Sequence, residues 1–262
     1  GEHTLGGEKT PKPFDNLIND DVALLNAEEW LLRMDYALKS ENVPQVWEYI
    51  RKQQAQIEEV LSNVLPEISN IQYAHPPVEE VLRKGHRVEF ETPYGWVPLS
   101  DLSLGYKSMI AWIVDFSARM FERYNDSDDP LSEPAVVLVD EFDLHLHPKW
   151  QRKLMKFLSE RFVNTQFIVT AHSPLIVLAA DEVNANIAVL KRVDDHVVIE
   201  KGPDSVRGWS VDQLMSSSLF PDVDSGWSLE VEELLKKRRK ILAKSKLSKK
   251  DRTELDKLEE EI

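Results

Sequence analysis

The chain contains no cysteine. Disulfides and thiolate metal sites are therefore excluded, and a cytoplasmic home is expected. It also has no run of about 18 apolar residues, so no membrane span is expected. The first residues are polar and glycine-containing and do not form a secretory signal. Positive charge is in deficit: 32 Lys and Arg stand against 46 Asp and Glu, for a net charge of -14. Bulk electrostatics then disfavour nucleic acid, which would have to be met by a local basic patch or a partner. No segment reads GxxxxGK[ST], the loop whose backbone N–H groups and lysine cradle nucleotide phosphates. The chain opens at Gly1 rather than at Met, so it is expected to be a fragment, a processed product or the ordered part of something longer.

What is present allows a real core. With 262 residues and 42% hydrophobic content, one or two domains are expected, and there is no internal repeat. Gly1–Pro13 holds three glycines and two prolines and reads as a flexible lead-in. Asn26–Glu29 has the form of a capping box, so a helix through about Lys39 should follow. Pro44 suits the first position of a second helix. Val46, Tyr49, Ile50, Ile57, Val60, Leu61 and Val64 recur in it at helical spacing, and Pro66 marks its end. Arg87–Glu91 and Trp96–Pro98 read as short strands about a turn at Pro93–Gly95.

Met109, Ile110, Ile113, Phe116, Met120 and Phe121 form one apolar stripe of a helix from about Tyr106 to Tyr124. Asn125–Pro134 is polar, acidic and loop-like. Val136–Val139 reads as a buried strand, Trp150–Phe162 as a helix and Phe167–Thr170 as another strand. Ile187–Arg192 and His196–Glu200 flank Asp194–Asp195 as a hairpin. The alternation of strands and helices predicts an α/β fold with a mostly parallel sheet and flanking helices. Glu230–Ile262 is highly charged, with leucines spaced through it and a second helix start at Ser248–Asp251, and predicts a helical hairpin. Its basic run Lys236–Lys240 reads first as a solvated helix face and second as a phosphate-binding patch.

Three segments carry chemistry. Ala135–Glu141 (AVVLVDE) delivers Asp140 and Glu141 to the end of a strand, where ligands of open α/β folds bind. Adjacent carboxylates point apart, so one can hold Mg²⁺ through water and the other can orient a nucleophilic water. Leu102–Tyr106 (LSLGY) places a serine hydroxyl, a glycine and free backbone N–H groups at a helix start, which suits an anion. Lys107 is a further phosphate candidate. His172, in Val169–Ser173 (VTAHS), follows a strand 32 residues after Asp140. His145 and His147 have an i, i+2 spacing that metal ligands can take, but no acidic or cysteine cluster accompanies them.

In this order the segments resemble the signature, Walker B, D-loop (Phe142–Pro148, FDLHLHP) and switch-histidine motifs of ATP-binding-cassette ATPases. Leu104 and Tyr106 replace a glycine and the glutamine of the LSGGQ signature. PLSDLSLGYKSM, VDEFDLHLHP and TAHSP are most similar to the SMC/RecF-like heads. Within that group they resemble the soluble AAA-type members of genome maintenance and phage defence: the Septu, retron-associated and overcoming-lysogenization-defect ATPases. Trp209–Phe220 is similar to a segment of the same group.

The resemblance runs from about Trp30 to the C-terminus. It implies the C-terminal lobe of an ATPase head at 69–228, a lead-in at 1–25, a helical segment at 26–68 and a charged hairpin at 229–262. It implies ATP and Mg²⁺ as cofactors, Glu141 as general base, Asp140 as Mg²⁺ partner and His172 as γ-phosphate contact. Asp143 would lie at the head-to-head interface, with Ser103, Gly105 and Lys107 serving the neighbouring head. The implied protein is a cytoplasmic homodimer that hydrolyses ATP to drive or gate an effector such as a nuclease. Nucleic acid would be met through a partner or a local patch, and no membrane is involved. A non-hydrolysing regulatory module that keeps the fold is the alternative; an endonuclease with its own metal site fits less well. Either ATP-dependent form needs a Walker A half from residues outside this sequence or from another chain.

Overall fold

The computed structural model describes residues 24–40, 43–76, 85–220, 229–243 and 248–261. The lead-in expected at Gly1–Pro13 lies outside them. The chain divides into two compact units, Gly1–Ala171 and His172–Ile262. Among the described residues no helix is long and apolar enough to cross a membrane.

The first unit opens with α1 (Ala27–Ser40) and α2 (Pro44–Val64). The Glu29 N–H donates to Asn26 Oδ1 at 3.1 Å, so Asn26 caps α1 as expected. The second half of the box is replaced: the Glu29 carboxylate accepts from Arg33 instead. Ile57, Val60, Leu61 and Val64 of α2 are buried, one per turn or half-turn along a single face. They share the unit's core with α3 (Leu104–Arg123), whose Met109, Ile110, Ile113, Val114, Met120 and Phe121 are also buried. Each such aliphatic side chain contributes about 1.5–3 kcal/mol of burial.

Between these helices runs an antiparallel sheet of β1 (Asn70–Ala74), β2 (Arg87–Thr92) and β3 (Gly95–Pro98). Ile71 lies opposite Phe90, and Phe90 opposite Val97. Gly95, at φ 111, makes the turn that sequence spacing places there.

After α3, β4 (Ala135–Val139), α4 (Pro148–Arg161) and β5 (Thr165–Val169) form one crossover unit. β4 and β5 pair in parallel, with Val137 level with Phe167. The parallel arrangement is confined to this pair among the described strands. Phe167 packs on Phe116 and Phe162, with ring centroids 6.1 and 6.0 Å away, which fixes one sheet face on α3 and the end of α4. The other face is open: Val136 is 61% exposed, Leu138 53% and Ile168 50%. This corrects the expectation of a buried strand at Val136–Val139. A β-branched run marks a strand but does not say whether both faces are covered.

The acidic loop Asn125–Pro134 is tied down. Arg161 donates through both terminal nitrogens to Asp129, at 3.0 and 3.1 Å, and Ser132 Oγ donates to it at 2.6 Å. Burial pushes the Asp129 carboxyl up, but the Arg161 and Ser132 hydrogen bonds and the Arg161 charge outweigh it and hold the group below its ordinary value.

The second unit holds α5 (Pro174–Glu182), the hairpin β6 (Ala188–Val193) and β7 (His196–Lys201), the short α6 (Val211–Met215), α7 (Leu229–Leu242) and α8 (Lys249–Glu261). Ser173 caps α5 through Leu175 N–H, and a full capping box of Ser210 and Gln213 starts α6. The hairpin turns at Asp194, in the left-handed region at φ 54. Asp181 accepts from Ser205 Oγ and Val206 N–H, which pins the segment after the hairpin to α5.

Candidate functional site

Asp140 and Glu141 follow β4 directly, at the carboxyl end of the parallel pair. Both are exposed. Their geometry is set by Thr170, which follows β5. The Thr170 hydroxyl donates to Asp140 Oδ1 and accepts from the Glu141 N–H at 2.9 Å. The Thr170 carbonyl accepts from Phe142 N–H at 2.9 Å, and its own N–H donates to Val139 O at 3.0 Å. One threonine thus closes the sheet end and holds three successive residues, 140–142. Glu141 turns through the left-handed region at φ 50. Its carboxylate makes no hydrogen bond among the described residues.

The donor set at this edge is two carboxylates and a hydroxyl, all hard oxygens. That set fits Mg²⁺, which takes one or two carboxylates and keeps several waters. Thr170 engages only Oδ1 of Asp140. Thr170 was not singled out from the sequence. Its signal was available as a hydroxyl residue at a strand end two positions before His172.

The next segment leads to the helix start expected to meet an anion. Phe142 and Leu146 are buried, and Leu144 N–H and Leu146 N–H close turns on Glu141 O and Asp143 O. Asp143 is half-buried and its carbonyl also accepts from Gln151 Nε2. His145 is left-handed at φ 62, and its carbonyl meets Gly105 of α3. A Cβ added at Gly105 would lie 2.4 Å from His145 O. Gly105 therefore joins the two segments by close backbone approach, a second reason for glycine there besides access to a phosphate.

Tyr106 joins the same contact: its ring stands edge-on to Trp150 at 4.4 Å and its hydroxyl donates to Pro66 O at 2.7 Å. Burial, with Glu67 next in effect, pushes its hydroxyl pKa up. Tyr106 thus ties α3 to the end of α2 and the start of α4.

Ser103 precedes α3 in extended conformation and makes no side-chain cap bond. Ser103 is exposed, and the first N–H groups of this 20-residue helix have no side-chain cap from it, the situation in which a helix start can take an anion. The Lys107 ammonium donates to Ser100 O at 2.5 Å and so lies beside this helix start, held by a neutral carbonyl. His147 accepts from Lys149 N–H and caps α4. Among the described residues no group of three or more His, Cys, Asp or Glu is placed to hold a metal ion. His172 is exposed and is the first residue of the second unit.

An α/β unit with an acidic pair at the carboxyl end of parallel strands, and a helix start joined to the loop that follows, has the organisation of an ATPase domain. Residues 11–179 match the family described as "AAA domain, putative AbiEii toxin, Type IV TA system", and the chain belongs to that AAA-domain family. The retron Ec83 probable ATPase of Escherichia coli is 33% identical over 174 residues, which cover 64% of this chain and 29% of that protein. The Septu protein PtuA of Bacillus mycoides (strain KBAB4) is 25% identical over 255 residues, 95% of this chain and 31% of that protein. The chain thus spans roughly a third of the length of the curated relatives it matches. Among solved structures, the SMC head domain from Thermotoga maritima is 16% identical with a TM-score of 0.39, covering 66% of this chain and 52% of that one.

Proposed function

We propose that this chain is the part of an ATPase head that carries the carboxylates and the signature helix of an Mg-ATP site, and that two such heads close on ATP to drive or gate an effector in anti-phage defence. The observation that carries the reading is the Thr170 clasp. It fixes Asp140 by one oxygen and leaves the Glu141 carboxylate unengaged at the sheet's carboxyl edge. Asp140 would hold the cation, which would supply charge neutralisation at the phosphates, and Glu141 would take the proton of the attacking water. His172, two residues beyond Thr170, supplies a hydrogen bond to the terminal phosphate. Ser103, Gly105 and the open N–H groups of α3 receive that phosphate from the neighbouring head, with Lys107 beside them and Asp143 near the seam between heads. The retron and Septu names of the relatives support the defence setting.

The test uses the full-length protein. Glu141→Gln keeps shape but removes the base, so ATP binding should persist while turnover falls by roughly 10²–10⁴-fold. Mixing Glu141→Gln with Ser103→Arg heads should restore part of the activity, since one of the two sites then carries neither lesion. Undiminished turnover in Glu141→Gln, or no recovery on mixing while heads demonstrably exchange, rejects the corresponding assignment.

A further inference from the structure

β1 and β2 pair antiparallel, and the last pair in register is Ala74 with Arg87. The next residue beyond each is a histidine, so the ladder sets His75 opposite His86. The two meet through like atoms. His75 Nδ1 lies 3.2 Å from His86 Nδ1, with the rings tilted by 58°. The other ring nitrogen of His75, Nε2, lies 2.7 Å from Asp35 Oδ2. Asp35 belongs to α1 and takes the third place in its buried row Ala27, Leu31, Asp35. A spacing of four thus carries a carboxylate into an otherwise apolar helix face. Asp35 is 8% exposed, whereas both histidines are exposed.

Fold stability does not call for this carboxylate. A buried ion pair is often no better than apolar side chains of the same volume. Lys39 donates to the same oxygen at 2.8 Å, but from an exposed position one turn away. What Asp35 does for His75 is more particular. By accepting from Nε2–H it fixes the neutral ring's tautomer and leaves the Nδ1 lone pair on the side of His86. An N–H···N bond between the rings accounts for the 3.2 Å separation, but not for a carboxylate placed behind one of them. An ion bonded to both Nδ1 atoms at about 2.0–2.1 Å would subtend an angle of about 100° across that separation, close to tetrahedral. The surroundings are electronegative as well. Glu58 of α2 is held above its ordinary value by burial and, to a smaller extent, by the Asp35 charge, against hydrogen bonds from Tyr73 and Gln54.

We propose that His75 and His86 form an open site for a divalent transition ion, with Zn²⁺ its first candidate, Asp35 as the positioning residue behind His75, and water in the remaining positions. Imidazole donors suit such ions and not Mg²⁺ or Ca²⁺. With two protein donors the site differs from closed sites of three or four ligands, of which the described residues hold none. The ion would join the end of β1 to the start of β2 and, through Asp35, to α1. The site stands apart from the ATPase reading and does not depend on it.

The test is calorimetric titration of the full chain with Zn²⁺ in excess Mg²⁺, which occupies oxygen-donor sites such as the one at Asp140. One Zn²⁺ per chain should bind with micromolar affinity and raise the thermal midpoint. H75A and H86A should each lose at least roughly tenfold in affinity, and Zn²⁺ should no longer raise their midpoints. His86 is exposed, so H86A tests the site even if H75A folds poorly. D35N should keep one ion per chain and bind it about tenfold more weakly. Co²⁺ in place of Zn²⁺ should give the parent a visible absorption band that D35N displaces and H86A abolishes. H147A/H196A also removes two histidines and should bind like the parent. No saturable Zn²⁺ binding to the parent, unaltered affinity in H86A, or an equal loss in H147A/H196A would each overturn the proposal. A D35N variant that matches the parent in affinity and in Co²⁺ spectrum would overturn the positioning role of Asp35.

Discussion

Gly105 lies against the carbonyl of His145 so closely that a methyl group at position 105 would sit 2.4 Å from that oxygen. The obstacle is backbone, not the end of a flexible side chain. Gly105→Ala must therefore push the start of α3 away from residues 142–147, at a cost of roughly 1–3 kcal/mol. Thermal unfolding should show a midpoint lower by several degrees. Ser103→Ala, two residues earlier and without a cap bond to lose, should leave the midpoint unchanged and lower only ATP turnover. Equal melting of Gly105→Ala and the parent would show that the contact yields freely.

Thr170→Val keeps the shape of the clasp and removes its hydroxyl. Asp140 then loses a donor and Glu141 N–H an acceptor. Each bond is worth about 1 kcal/mol, so turnover should fall about tenfold and more Mg²⁺ should be needed for half-maximal rate. Thr170→Ser retains the hydroxyl and should recover most of the loss. A Thr170→Val enzyme with unaltered Mg²⁺ dependence would separate the clasp from the cation.

Acid should weaken the fold through Asp129. Its carboxyl is held below its ordinary value in the folded chain, so it adds stability that is complete above the ordinary carboxylate range. That stability disappears as pH falls through the lowered folded value. Arg161→Gln removes the partner: it should melt earlier than the parent at pH 7, with the gap closing as pH falls below the ordinary carboxylate range. Melts at several pH values decide this, and a pH-independent gap would assign the loss to packing of Arg161 alone.

Much of the framework could be read from residue patterns. The cap at Asn26, the 57–60–61–64 face of α2 and the stripe of α3 each combine a boundary signal with a repeated apolar period, and all three are present. β1 and α5, which lack both signals, were not seen. β1 (NIQYA) has only Ile71 and Tyr73 as alternating large residues, too few to mark a strand. α5 (PLIVLAADE) is so apolar and short that no polar face reveals its period. For the site, Asp140 and Glu141 stand at the strand end that their position implied. Two features needed coordinates: Thr170, whose partners lie about 30 residues away, and Tyr106, whose role depends on Pro66 and Trp150.

The 262-residue chain by itself should bind Mg-ATP weakly, at roughly millimolar affinity or worse, near -4 kcal/mol. No segment of it supplies the phosphate loop that provides most of the triphosphate's hydrogen bonds. Two carboxylates at the sheet edge repel the nucleotide until a cation is present. Calorimetry with Mg-ATP measures this, and micromolar affinity would reveal a phosphate site elsewhere, with Lys107 and Lys236–Lys240 the first places to look.

Glu141 occupies a backbone conformation, at φ 50, that glycine or asparagine would hold at lower cost. Strain of this kind is of order 1–3 kcal/mol and is borne where a particular side chain is needed. Laboratory evolution that rewards heat resistance alone should therefore drift toward glycine at position 141, and the winners should be sturdier proteins that no longer turn over ATP. In a library scored for both properties, position 141 becomes a place where the two scores pull apart, and its glutamate survives only while activity is being counted.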